Sequence, residues 1–229
     1  MHYTFKPIAY IHSDFPEKFG IPRQSGLAAH LTAEIRFEPE YASPEAVRGL
    51  EEYSYIWLIW GFSKNKNNGW SPTVRPPRLG GNVRKGVFAT RSPFRPNPVG
   101  LSSVRLDSIE FTKEHGPVLH VSGADLMDGT PIFDIKPYLP YVDSHPEAAN
   151  GFAGDVKDFS LQVECPEMLL TRFPQEKREA LFEVLSQDPR PSYQDDPERI
   201  YGMRFSDYEI KFKVYENILT IVSIDSVIR

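Results

Sequence analysis

Cysteine is nearly absent from this 229-residue chain: Cys165 is the only one. That excludes an intramolecular disulfide and a cysteine-based metal cluster. Long apolar runs are missing too. The longest, YIWLIWGF (55–62), is far too short to span a bilayer. The N-terminal MHYTFKPIAYIHSDFPEKFG lacks the basic start and continuous apolar stretch of a signal peptide. No GxGxxG or GxxxxGK[ST] occurs, which removes the Rossmann and P-loop ways of holding a nucleotide. There is no GxSxG elbow, and the six histidines (2, 12, 30, 115, 120, 145) show neither HExxH nor paired-ligand spacing, so no metal site is expected. Cys165, beside Pro166 and without a basic cluster, reads as a buried inert thiol. The expectation is a soluble, cytoplasmic protein of a reducing compartment, with no membrane contact.

A more local absence is informative. Between Tyr53 and Leu106 there is no aspartate or glutamate, while the same window holds nine basic residues: Lys64, Lys66, Arg75, Arg78, Arg84, Lys85, Arg91, Arg95 and Arg105. The whole chain has a net charge of −5, and the remainder, with 17 basic and 31 acidic residues, carries −14. A segregated positive stretch on an acidic protein points to a phosphate-rich partner met locally. The competing reading is that these cations pair with acids supplied elsewhere in the fold.

What the chain does have is proline and glycine, 21 and 15 residues, which favour turns and a β-rich fold. Apolar content of 40% supports a sizeable core. Strands are expected at 3–11, at 31–37 with Leu31, Ala33, Ile35 and Phe37 on one face, at 55–62 buried on both faces, and at 86–90, 101–111 and 118–126. SPEAVRGLEEY (43–53) reads as a short helix with Ser43 as N-cap and Pro44 in the first turn. Residues 132–144 are extended and broken by Pro137 and Pro140. Residues 174–188 have helical spacing at Ala180, Leu181, Val184 and Leu185, and 207–216 with 218–227 form a hairpin. The fold class is mainly β, α+β overall, with a β-rich domain over 1–150 and a small α+β domain over 160–229.

In RSPFRPNP (91–98), Ser92, Arg95 and Asn97 each precede a proline, so almost every torsion is restricted. Such stiffness lowers the entropy cost of binding. It presents guanidinium forks and an amide along a ribbon, which suits phosphates and base edges. A rigid barrel corner would explain the prolines but not the arginines. Should a nucleoside bind here, the material is PRQSG (22–26), Phe62–Ser63, the arginine loop and ADLMDGT (124–130). Asp125 or Asp128 could take a ribose hydroxyl or an ammonium. A plain β-turn is the simpler account of DLMDGT.

GWSPTVRPPRLGGNVRKGVFATRSPFRPNPVGLSSVRL (69–106), VRGLEEYSYIWLIW (47–60), DLMDGTPIFDIKPYLPYVDS (125–144) and SQDPRPSY (186–193) together resemble the TrmO (YaeB-like) family over almost the whole chain. The resemblance implies a single β-barrel that binds S-adenosyl-L-methionine without a Rossmann domain, a small C-terminal domain, and a homodimer. It implies methylation of N6 of threonylcarbamoyl-adenosine at position 37, next to the anticodon of threonine tRNA. Carried over by motif, the donor site comprises Gln24, Ser25, Gly26, Ser63, Lys64, Arg91, Leu101, Asp125, Leu126, Met127 and Asp128. Family members often have His-Gln where this chain has Ser63-Lys64, and a hydroxyl and an ammonium cannot reproduce those side-chain hydrogen bonds.

Candidate catalytic residues are Asp128, Asp134 and Tyr138. Either carboxylate, or water, could receive the N6 proton. Arg84, Arg91, Arg95 and Asn97 could grip the anticodon loop, and Tyr138 and Tyr141 could stack on a splayed base or equally form barrel wall. A non-catalytic RNA-binding module and a methyltransferase with another acceptor are the alternatives.

Overall fold

The computed structural model describes residues 3–64, 70–76, 83–156, 159–190 and 196–227. Lys66 and Arg78 of the basic stretch, and 191–193 of the SQDPRPSY motif, lie outside them. The first part of the chain contains β1 (Ala9–His12), β2 (Thr32–Phe37), β3 (Tyr55–Gly61), β4 (Thr73–Val74), β5 (Lys85–Gly86), β6 (Val99–Thr112), β7 (Gly116–Ser122) and β8 (Thr130–Pro137). Six of these close into an antiparallel barrel in the order β1-β2-β7-β6-β3-β8, with β4 and β5 as a separate two-stranded pair.

In β2 the alternation places Ala33 and Ile35 in the barrel core with Phe37 half-buried against it, while Leu31, just ahead of the strand, is buried in a different core. In β3 the outcome differs from a strand covered on both faces. Ile56, Leu58 and Trp60 face the core, while Tyr55 is 44% exposed and Trp57 and Ile59 are half-buried. A closed barrel has one interior, so the second face of each strand looks outward. Register shifts at Leu106/Ser108 and at Ile59/Trp60 supply the local bends that closure needs. Gly100 faces inward on β6, and a Cβ there would lie 2.3 Å from the Trp60 ring. The missing side chain is what lets an indole fill the barrel beside it.

The expected helix at 43–53 is instead two 3-10 turns, Pro44–Val47 and Leu50–Glu52. Ser43 does cap the first, its Oγ accepting from the Glu45 N–H at 3.3 Å. Gly49, at φ 81°, is left-handed, and an α-helix cannot pass through that conformation. The strand expected at 86–90 is only Gly86 before a 3-10 turn, Val87–Ala89. Past β8 comes α1 (Pro140–Asp143). The Asp143 carboxylate accepts from the Leu139 N–H and from Trp57 Nε1. Both bonds hold its pKa below the ordinary aspartate range.

The C-terminal part holds β9 (Gln162–Glu164), α2 (Glu167–Leu170), α3 (Arg178–Ser186), β10 (Tyr201–Phe205), β11 (Tyr208–Tyr215) and β12 (Ile218–Ser226). The sheet order is β10-β11-β12-β9, with β11 and β12 in the expected hairpin and β9 added in parallel. The helical spacing is obeyed: Ala180, Leu181, Val184 and Leu185 are all buried. Cys165 is only half-buried, and that burial raises its thiol pKa, which keeps it protonated and unreactive.

One feature crosses this division. Phe15, Ala28 and Leu31, from the segment between β1 and β2, are buried in the C-terminal core. The Phe15 ring meets Phe205 edge-on at 5.5 Å, and a fully buried Phe contributes ~1.5–3 kcal/mol. The Lys177 Nζ reaches Asp14 Oδ1 at 2.5 Å. The segment is thus fixed at both sides, to the barrel by its ends and to the small domain by its side chains.

Candidate functional site

Antiparallel pairing gathers one set of loops at one barrel end, where β1, β3 and β7 finish and β2, β6 and β8 begin. Those loops are the 13–31 segment, 62–64, 91–98 and 123–129. Hydrogen bonds tie them together. Gly26 donates its N–H to Gly123 O at 2.8 Å, and Phe62 donates to Pro98 O at 3.0 Å. Lys18 Nζ reaches Lys64 O at 2.7 Å. Gly26 and Gly123 have φ of 81° and 78°, and a Cβ on Gly123 would stand 3.3 Å from the Gly26 Cα. The left-handed torsions at both positions call for glycine, and at Gly123 the close approach of the other segment adds to it.

A buried polar chain runs into the same end. Trp60 Nε1 donates to Ser102 Oγ at 3.0 Å, and Ser102 donates to Asp125 Oδ1 at 2.6 Å. Burial raises the Asp125 pKa, against the opposing pull of Ser102, the backbone N–H groups of Asp125 and Ser25, and the Arg91 guanidinium. Arg91 in turn donates from Nη1 to the Gln24 side-chain oxygen. Gln24, Ser25, Gly26, Arg91 and Asp125 therefore form one connected group. The sequence reading missed Trp60 and Ser102. The available signal was Ser102 itself, a hydroxyl at an inward position of β6 between Gly100 and Val104.

The arginine loop is braced from within. Arg95 Nη1 donates to Thr90 O at 2.8 Å, and its guanidinium carbon lies 5.9 Å from the Phe88 ring centroid. Asn97 and Arg91 are exposed, and Arg84 Nη1 donates to Thr73 Oγ1 at 2.9 Å. Among the described residues of the acid-free window, only Arg105 forms an ion pair, with Asp107 at 2.7 Å. Among the described residues, then, Lys64, Arg75, Arg84, Lys85, Arg91 and Arg95 form no ion pair, and of these Arg91 acts on an acid from outside the window, Asp125.

Other predicted residues lie apart from this group. Leu126 and Met127 are buried in the barrel wall, and their carbonyls already accept from Ser13 Oγ and Thr130 Oγ1. The Asp128 carboxylate turns to the Ser13 N–H at 3.2 Å and His12 Nδ1 at 3.5 Å. Ser63 and Lys64 are exposed at the end of β3. Leu101 and Asp134 flank Ile59 in register on the outer barrel face, with Asp134 paired to Lys136 at 2.9 Å. Tyr138 follows β8 at the opposite barrel end, its ring 5.4 Å from Trp57, and Tyr141 stands there 83% exposed. At ~3.3 Å per residue, Asp134 and Tyr138 are roughly 13 Å apart. Asp128, Asp134 and Tyr138 do not share a centre in this chain.

A separate cleft of about 590 Å³ lies between the outer barrel face and the small domain, lined in part by His12, Asp14, Glu34, Arg36, His120 and Lys177. Its charges are largely matched in place, Arg36 with Glu34 and Lys177 with Asp14.

Glycine-lined turns, the half-buried Asp125 carboxylate and a stiff cationic loop thus meet at one barrel mouth. The chain belongs to the TrmO family: the family described as the tRNA-methyltransferase O N-terminal domain matches residues 10–144, and the TrmO C-terminal domain matches 159–227. It is 43% identical over 223 residues to the Escherichia coli tRNA (adenine(37)-N6)-methyltransferase, covering 93% of each chain. It is 42% identical to a putative S-adenosylmethionine-dependent methyltransferase, RcsF, of Pseudomonas aeruginosa, covering 92% of each. A crystal structure of TrmO from Pseudomonas aeruginosa superposes with a TM-score of 0.79 at 34% identity, over 99% of this chain and all of that one.

Proposed function

We propose that the protein is an S-adenosylmethionine-dependent tRNA (adenine-N6)-methyltransferase acting on threonylcarbamoyl-adenosine at position 37 of threonine tRNA. The observation that carries this reading is the Arg91–Gln24 contact. It joins the cationic loop to the turn bordering Asp125, so the nucleoside mouth and the RNA-facing ribbon are one structure.

The mouth suits a cationic donor. Asp125 is an anion pushed toward protonation by burial, and a positively charged ligand group beside it relieves that cost. Gln24, Ser25 and Gly26 offer backbone and amide contacts and thus carry the protein side of the contact, since the carbonyls of Lys64, Leu126 and Met127 already accept from Lys18, Ser13 and Thr130. Leu101 offers apolar surface on the outer face. The bound S-adenosylmethionine supplies an electrophilic methyl group. The chain's own work is to hold both reactants in line, and orientation of this kind can supply ~7–11 kcal/mol of the barrier. With the carboxylates of Asp128 and Asp134 engaged elsewhere, water is the acceptor of the N6 proton best matched to one protomer.

The barrel of residues 1–150 carries the donor mouth, and residues 160–229 brace the 13–31 segment that borders it. A cytoplasmic homodimer completes the reading. The outer face of β3 and β6 exposes Tyr55 (44%), Val99 (37%) and Leu101 (54%), an apolar strip that a second copy would cover. Tyr138 and Tyr141, remote from their own mouth, would then reach RNA held by the other protomer.

The test is methyl transfer from labelled S-adenosylmethionine to threonine tRNA with and without the threonylcarbamoyl group, by wild type and Arg91→Ala. Label on the modified tRNA alone, lost in the variant, supports the reaction and the loop's role. Donor binding without label on either tRNA refutes the acceptor. No donor binding favours the non-catalytic RNA module, with Ser63-Lys64 as its cause.

A further inference from the structure

Phe88 is the middle residue of the 3-10 turn Val87–Ala89, and 74% of it is exposed. The turn around it is rigid. Val87 is 1% exposed and donates its N–H to Pro72 O at 2.9 Å. The Val87 carbonyl accepts from both Thr90 N–H at 3.1 Å and Thr90 Oγ1 at 2.8 Å. Arg95 closes the other side, bonding Thr90 O while its guanidinium lies over the Phe88 ring. A ring held out this firmly is not a core residue that failed to find cover.

Its surroundings narrow what it can meet. Arg84, Lys85 and Arg91 flank it in a window that has no acid, and among the described residues none of the three forms an ion pair. Exposed phenylalanines as such are ordinary. Phe111, 61% exposed, sits beside Glu110 and faces no such field. An apolar ring, backed by a guanidinium and ringed by cations, matches a ligand with a flat π-face and adjoining negative charge: an unpaired nucleotide. Preordering of the turn lowers the cost of that contact.

We infer that Phe88, backed by Arg95, is a stacking platform for an unpaired base of the RNA loop. The inference rests on the tRNA-methyltransferase reading above and adds to it a named contact that the sequence motifs did not single out. It fixes one splayed base, and with it the path of the loop toward the mouth.

The probe is an anticodon stem-loop RNA with 2-aminopurine in the loop, whose fluorescence falls on stacking. Wild type is expected to quench it. Phe88→Ala and Phe88→Leu should lose the quench and raise the RNA KM by roughly 5- to 150-fold, the span of one stacked base. Donor affinity should hold in both, Phe88→Trp should keep RNA binding, and Phe111→Ala should be neutral. Leucine separates stacking from plain apolar contact, since it keeps bulk but has no π-face, and it carries the test should the alanine variant fold poorly. The inference is overturned if Phe88→Leu binds RNA within about twofold of wild type, or if the loss tracks a change in sedimentation, which would make Phe88 a protein contact. Wild type that binds no RNA at all overturns the tRNA reading as well.

Discussion

Asp125 is an acid whose placement costs the free protein stability. Its folded pKa lies above the ordinary aspartate value, chiefly through burial. The folded state therefore holds a proton that the unfolded state has released, and stability falls as pH rises from the unfolded toward the folded pKa. Replacing Asp125 by Asn removes that penalty while its Oδ1 can still accept from Ser102. The ligand-free variant should melt higher than wild type at pH 7, with the gap closing at pH 4, and should bind the donor more weakly. Thermal melts at the two pH values and donor calorimetry check both halves. Ser102→Ala leaves the carboxylate in place without its hydroxyl donor, a charge-assisted bond of ~1.5–3 kcal/mol. It should raise the donor KM about tenfold with a smaller change in kcat, and Ser102→Thr should recover part of the loss.

At the scale of elements, the 13–31 segment behaves as a strap between the barrel and α3. His30 donates its N–H to Glu183 Oε2 at 2.9 Å, and its ring nitrogens meet Glu183 at 2.7 Å and Glu179 at 3.2 Å. These contacts, the Glu183 hydrogen bond first, raise the His30 pKa above its ordinary value, with desolvation and then Arg105 opposing. A raised histidine pKa means the imidazolium favours the docked strap below its unfolded pKa, and that contribution is lost as pH rises through the folded one. Glu183→Gln should move the His30 titration down, as proton NMR of the imidazole would record; an unshifted curve would show that the contact is not made in solution. Element type was legible where periodicity was long: α3, the β11–β12 hairpin and the inward face of β2. It was not legible at 43–53 and 86–90, where a left-handed Gly49 and a braced turn at Val87 override local preference.

For the whole molecule, the decisive quantity is where charge lies. A protein of net charge −5 that binds tRNA through one cationic stretch should bind with a steep but limited dependence on salt, since only contacting cations release counterions. The logarithm of tRNA affinity should fall linearly with that of salt concentration, and Arg91→Ala should flatten the slope by about one unit. An unchanged slope would place Arg91 away from phosphate and leave it only its Gln24 contact.

The sequence by itself determined the composition-level facts and the local rules: a β-rich chain, an acid-free basic window, prolines that stiffen 91–98, and motifs specific enough to place the family. These depend on residue type and near neighbours, which a linear string carries in full. Which residues meet was decided only by tertiary structure. Barrel closure set Trp60 against Gly100 and brought Ser102 to Asp125 in the 123–129 loop, contacts between segments far apart in sequence. The same closure parted Asp128, Asp134 and Tyr138, because positions along β8 are spread over the length of the barrel while the mouth gathers only loop ends. Outside the barrel, Phe88 faces outward because the turn that holds it is anchored by Pro72 and Arg95, and no local propensity specifies either contact.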